Sequence, residues 1–302
     1  MNIQTSAQTP ERILLRLDWD VIRRLDGLLQ GDYRSLFYGF GVDFADLREY
    51  QPGDDIRYID WNVTARMDTP YIRQYNEDRE ITAWFLLDLS PSVDFGTTQT
   101  LREKRTTLTD FVTVLARLLT RHGNRVGAMM FGSGIQHTVP ARGGKIQVLR
   151  LVNDMMKQPR LARASFTSLK SFLDGALNSI KRRSLVFVIS DFISEPGWER
   201  SLSLLAQRHE VIAVRLYDPR EEELPDVGMV VMEDAETGAQ MFVDTRDAKF
   251  RKRFFAAAQQ REKNLNEAFH RAGVDVLSLS TEDDLVRSIV RFAKQRQQVR
   301  RN

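Results

Sequence analysis

Asp88-Leu-Ser-Pro-Ser92 puts one carboxylate and two hydroxyls into a single short stretch. All three are hard oxygen donors. If they converge they suit Mg²⁺ or Mn²⁺, which prefer oxygen ligands and keep part of their water shell. Asp191 offers a second carboxylate and Thr167 a third hydroxyl, each from a different part of the chain. The D-x-S-x-S spacing is short enough to arise by chance, so its weight depends on what positions it.

The positioning elements are legible from Ile81 onward. Ala83 to Leu87, Val126 to Phe131, Leu185 to Ser190, Val211 to Leu216 and Val274 to Leu279 are short apolar runs of the kind that form buried strands. Between them, Leu108, Phe111, Val112, Leu115, Leu118 and Leu119 recur at helical spacing, as do Leu169, Phe172, Leu173, Ala176, Leu177 and Ile180. Further helices are expected over Trp198 to Arg208, Phe250 to Ala272 and Asp283 to Gln297. Strands alternating with helices predict an α/β fold with a doubly wound, mainly parallel sheet. In such sheets ligands bind at the carboxyl ends of the strands, where the strand order reverses. The first run delivers Asp88, Ser90 and Ser92 to such an end, and Leu185 to Ser190 delivers Asp191. Thr167 lies just before the helix that starts near Leu169. Two plainer roles stay open: Asp191 could cap the next helix and Thr167 its own, since both types favour N-caps.

Val227 to Glu233 and Gln240 to Asp244 read as an inserted hairpin (about 227–244) around the turn-rich Asp234-Ala-Glu-Thr-Gly238. Residues 1–80 form an accessory segment and 81–302 the main domain. A helix is expected from Asp20 to Leu29. Between Gly31 and Glu80 every basic residue is arginine, whose planar fork suits paired carboxylates. An ion-pair lattice involving Arg48, Glu49, Asp54, Asp55, Arg57, Asp60 and Arg66 is therefore expected there; a solvated surface is the alternative.

Composition narrows the chemistry. The 302 residues contain no cysteine, which excludes disulfides, thiolate metal sites and cysteine nucleophiles. The net charge is only +3. Basic residues gather at Arg287, Arg291, Lys294, Arg296, Arg300 and Arg301, read here as the solvated face of a last helix; no recognition motif accompanies them, so nucleic acid is not an expected partner. No run approaches the roughly 20 apolar residues needed to span a bilayer, and the expectation is a cytoplasmic protein without membrane contact. His122, His137, His209 and His270 lack metal-ligand spacing. Gly143-Gly-Lys145 is not followed by the Ser or Thr of a phosphate loop, and no serine sits in a G-x-S-x-G elbow.

Asp88-x-Ser90-x-Ser92, Thr167 and Asp191 resemble the metal-ion-dependent adhesion site of von Willebrand factor A domains, and Arg125 to Phe131 looks like that fold's second strand. The run from Gly41-Val-Asp-Phe44 through Arg48-Glu-Tyr-Gln-Pro-Gly-Asp-Asp-Ile-Arg57, Asp60-Trp-Asn62 and Ala65-Arg66 resembles a bacterial family known as domain of unknown function fifty-eight. That likeness extends over most of the chain, to Asp234-Ala-Glu-Thr-Gly238 and Asp244-Thr245.

The resemblance implies a von Willebrand factor A-type sheet holding Mg²⁺ or Mn²⁺. Ser90, Ser92 and Thr167 would bind it directly, with Asp88 and Asp191 acting mainly through water. It also implies a noncatalytic adaptor that captures an acidic residue of a protein partner, in association with a MoxR-type AAA+ ATPase in assembly or maturation. Val93-Asp94 departs from the pattern's usual small residue or Met; Asp94 could stiffen the turn or add charge near the ion, and with Phe192 it is expected at the partner-facing rim. The alternative is a metal-dependent phosphohydrolase. Against it, Ser90 stands where an aspartyl phosphatase needs its second carboxylate.

Overall fold

Alternate residues of the apolar runs point to opposite faces of one sheet, so each run feeds two cores at once. The computed structural model describes residues 9–28, 46–52, 54–56, 59–67, 69–74, 80–97, 102–132, 134–160, 168–233 and 238–301. In chain order, α1 (Pro10–Leu17) runs through a π-helical turn (Asp18–Ile22) into α2 (Arg23–Leu28). Strands β1 (Asp46–Glu49) and β2 (Tyr71–Gln74) pair antiparallel around α3 (Trp61–Met67). Then come β3 (Thr82–Asp88), a 3₁₀ turn (Pro91–Asp94), and the two-residue strands β4 (Gly96–Thr97) and β5 (Arg102–Glu103). Next are α4 (Lys104–Arg121), β6 (Arg125–Phe131), β7 (Ile135–Arg142), α5 (Lys145–Lys157), α6 (Leu169–Ser179) and β8 (Leu185–Ser190). The chain continues through α7 (Trp198–Arg208), β9 (Glu210–Tyr217), the hairpin β10 (Met229–Glu233) and β11 (Gln240–Asp244), α8 (Ala248–Ala272), β12 (Asp275–Ser280) and α9 (Leu285–Arg301).

The main sheet has six strands in the order β12-β9-β8-β3-β6-β7. Every neighbouring pair is parallel except β6 and β7. Ala83, Phe85 and Leu87 of β3 face one core with Phe187 of β8, Phe111 and Leu115 of α4, Leu151 of α5 and Ile289 of α9. Leu86 faces the other, with Val186, Val188, Phe172 of α6, Leu202 of α7 and Phe269 of α8. The five strands expected from the sequence are all present in this α/β sheet.

Three elements differ from expectation. The antiparallel edge strand β7 was not anticipated: its side chains are mostly exposed and it carries Pro140, which edge strands tolerate. Helix α5 was also missed; Gly143-Gly144 in fact opens it, with Gly144 at φ +84°, a conformation that favours glycine. The first helix starts ten residues earlier than expected, and Ile13, Leu14, Leu17, Ile22 and Leu25 join the same core as α4 and α5. Among the described residues no helix is long and apolar enough to cross a membrane.

Part of the expected arginine lattice lies among the described residues. Arg48 grips Asp54 with both nitrogens (2.7 and 2.6 Å), and Asp54 also accepts from the Gln51 amide. Asp60, buried, accepts from the Val63 amide at the start of α3, while its own amide donates to the Tyr71 carbonyl. Asp55 is half-buried, and Glu49 and Arg66 are exposed. Arg57 lies outside the described residues. In the basic tail, Arg296 is not a solvated residue: it is buried against Asp275 and Glu210.

Candidate metal centre

The chain leaves β3 for β6 and β7 on one side, then returns to β8 on the other. The carboxyl ends of β3 and β8 therefore diverge, one into α4 and the other toward α7 on the opposite face. This is the switch-point crevice where α/β sheets bind ligands, and Asp88 and Asp191 sit at its two lips.

Asp88 ends β3 and is 1% exposed. Its Oδ1 accepts from the Ser90 amide (3.0 Å) and its Oδ2 from the Ser190 hydroxyl (2.6 Å). Pro91 then starts the 3₁₀ turn that folds Ser92 back, leaving the Ser90 and Ser92 hydroxyl oxygens 3.1 Å apart, both buried. Across the crevice, Asp191 Oδ1 accepts from the Ile193 amide (3.0 Å), a turn inside its own loop. Helix α7 begins only at Trp198, with Gly197 as its cap residue, so Asp191 is not a helix cap. Thr167 lies outside the described residues; the N-cap of α6 is Ser168, whose hydroxyl accepts from the Ser171 amide.

At the rim the expectation for Phe192 needs correction, and Asp94 takes one of its two expected roles. Phe192 does not face a partner: it is 4% exposed, and its ring packs on Trp198 and Phe269 (centroids 5.4 and 4.8 Å). Its backbone takes φ +57°, rare for a bulky residue. The turn sends the ring inward, and Ser190 Oγ accepts from the Phe192 amide (2.9 Å). Asp94 is occupied by Arg105, whose Nη1 lies 3.0 and 3.2 Å from its two oxygens while Nη2 donates to the Gln158 carbonyl. It braces the turn, the first of the two roles expected of it. Among the described residues, Phe95 is an exposed apolar side chain at this rim, 42% exposed.

Sequence reasoning missed Ser190, Lys104 and Glu221. Lys104, at the first position of α4, is fully buried; its ammonium lies 2.9 Å from Asp191 Oδ2 and 2.7 Å from Glu221 Oε1. Glu221 Oε2 in turn accepts from the Asp218 amide (3.0 Å) after β9. Burial works against the lysine's charge, but Asp191 and Glu221 together outweigh it and hold its pKa above the usual value. A lysine at the positive end of a helix dipole is itself a signal, readable once the helix start is known.

Asp88 feels the opposite balance. Burial, and then the charge of Asp191, push its carboxyl up to about 6, against the bonds from Ser190 and Ser90. A buried pocket in which Asp88 and Asp191 repel each other, with Lys104 covering only Asp191 of the two, is what a hard cation would relieve. Among the described residues no three His, Asp or Glu side chains form a metal cage, so an ion here would depend on the hydroxyls. The residues present fit Mg²⁺ or Mn²⁺ in that sense: Asp88, Ser90 and Ser92 on one lip and Asp191 on the other.

Fold and crevice thus define an α/β protein with an oxygen-rich polar site at a sheet switch point. A family profile described as "Protein of unknown function DUF58" matches residues 46–264, and the chain belongs to that family. It is 36% identical over 283 residues to the uncharacterized protein Rv1480 of Mycobacterium tuberculosis, an alignment covering 94% of this chain and 88% of the relative. It is 37% identical over 158 residues to the uncharacterized protein MAV169 of Mycobacterium avium (52% of this chain, 93% of that one). Similar solved structures include an aerotolerance-related membrane protein from Bacteroides fragilis (TM-score 0.46, 11% identity, 72% of this chain and 99% of that one). Another is proximal thread matrix protein 1 from the mussel byssus, with a zinc-occupied MIDAS motif (TM-score 0.33, 19% identity, 45% of this chain and 38% of that one).

Proposed function

We propose that this protein is a noncatalytic, metal-dependent adaptor of von Willebrand factor A type that holds an acidic residue of a protein partner. The observation that carries the reading is the pairing of buried Asp88, pushed up to about 6, with the Ser90 and Ser92 hydroxyls 3.1 Å apart, facing Asp191 across the switch point.

Ser90 and Ser92 offer neutral oxygens, and Thr167 adds a third in this reading. Ser190 and the Ser90 amide fix both oxygens of Asp88, so its carboxylate is oriented before anything binds. The Arg105–Asp94 pair holds the turn that carries Ser92. A bound Mg²⁺ or Mn²⁺ supplies electrophilic charge for an incoming carboxylate. Phe95 gives that partner an apolar contact at the rim. In this reading the set binds and orients, and no step of covalent chemistry is assigned to it.

The expected partner, on the family resemblance, is a MoxR-type AAA+ ATPase or its client, with both proteins in the cytoplasm. The test is co-sedimentation or surface plasmon resonance with the purified ATPase in Mg²⁺ and in EDTA, using wild type and Asp88→Ala. Binding that needs both the metal and Asp88 supports the reading. Metal-independent binding overturns it, as does Asp88-dependent hydrolysis of a generic phosphate ester.

A further inference from the structure

Lys104 is a charged group at this edge that the metal-binding reading leaves unused. It is 0% exposed, sits at the wrong end of a helix dipole and spans two loops, joining Asp191 after β8 to Glu221 after β9. Burying an ammonium without compensation is costly, and its two carboxylates provide that compensation. The Phe95 ring, 5.7 Å from the ammonium, lies beside it.

We propose that Lys104 is the site's resident cation: it neutralises Asp191 in part and so holds down the site's affinity for free divalent ions. This rests on the metal-binding reading and deepens it. When ionised, Asp88, Asp191 and Glu221 carry three negative charges, of which Lys104 cancels one. Removing the lysine leaves the cluster more negative and a divalent ion more strongly attracted. Neutralising Glu221 does the reverse, because the ammonium then serves Asp191 alone. The two changes therefore act in opposite directions, whereas simple damage to the fold would weaken ion binding in both.

The experiment is Mn²⁺ titration of the full chain, followed by the electron paramagnetic resonance signal of free Mn²⁺, with folding checked by circular dichroism. Lys104→Met should bind Mn²⁺ at least about tenfold more tightly than wild type, since even at an intermediate dielectric a nearby unit charge is worth that much. Lys104→Arg should stay near wild type and Glu221→Gln should bind more weakly; the Lys104→Met gain should vanish in the Asp88→Ala, Lys104→Met double variant. If Lys104→Met fails to fold, Lys104→Gln, which keeps a neutral hydrogen-bonding head group for the two carboxylates, is read in its place with the same expected gain. Equal or weaker binding by folded Lys104→Met, or tighter binding by Glu221→Gln, overturns the proposal while an Asp88-dependent wild-type site keeps the metal reading. Asp88-dependent binding in Lys104→Met but none in wild type keeps the proposal and removes the metal reading for the natural chain. No binding in any variant overturns both.

Discussion

The two ends of the sheet each bury a cation between two carboxylates, yet they are built to different ends. At the amino ends of β9 and β12, the Arg296 guanidinium meets Glu210 and Asp275, with Nε 2.7 Å from Asp275. At the carboxyl ends of β8 and β9, the Lys104 ammonium meets Asp191 and Glu221. The arginine fork matches its carboxylates, and the Asp275 side chain is 46% exposed, so water shares the surplus charge. The lysine is a point charge in a fully buried place, and a third carboxylate, Asp88, lies nearby with two hydroxyls that bond each other. One cluster is closed and structural. The other sets three carboxylates against one cation, which is the charge imbalance the proposed ion would relieve.

Breaking the closed end should have the largest effect. Arg296→Ala takes the guanidinium away from Glu210 and Asp275, and losing one partner of a buried pair costs about 3–5 kcal/mol; urea denaturation should report that loss, with Mn²⁺ binding at the far end unchanged.

Sharpening the open end has the opposite sign. Asp88→Asn removes a buried charge and should raise the melting temperature of the metal-free protein at pH 7, while abolishing any Mg²⁺-induced rise. The same logic fixes the pH dependence. Asp88 binds its proton more tightly folded (about 6) than unfolded (3.8). The metal-free wild type should therefore lose up to about 3 kcal/mol of stability as pH rises from about 4 to about 6, then level off, a slope that Asp88→Asn should flatten.

Ser190→Ala should act on the same group more gently. It deletes the hydroxyl that donates to Asp88, so the midpoint of that pH transition should move further up, as read by melting temperature against pH. The smallest effect belongs to Arg48→Ala. Its pair with Asp54 lies at the surface, where such pairs contribute little, and the melting temperature should shift by no more than a degree or two.

The contrast also explains what could be read from the chain. The sheet was legible because buried parallel strands are written as short apolar runs, and Asp88 and Asp191 were legible because each directly follows one. β7 was hidden because an exposed edge strand keeps polar residues such as Gln136 and Thr138. α5 carries Val148, Leu151, Val152 and Met155 at helical spacing, but Gly143-Gly-Lys145 was weighed only as a phosphate-loop fragment and set aside, not as a helix start. Lys104 and Glu221 were out of reach for a different reason. They are 117 residues apart, and only the folded sheet brings their loops to one edge. Phe192 was misplaced because a left-handed backbone turn, invisible in the sequence, aims its ring into the core.

The central claim is that the carboxyl edge holds a divalent ion through Asp88 and its hydroxyl neighbours. Calorimetric titration of Mg²⁺ and Mn²⁺ into chelator-stripped protein, with Asp88→Ala and Ser90→Ala alongside, tests it most directly. The account predicts one saturable site in the wild type that both substitutions remove. Binding that survives Asp88→Ala, or no binding to the wild type at millimolar ion, would contradict it.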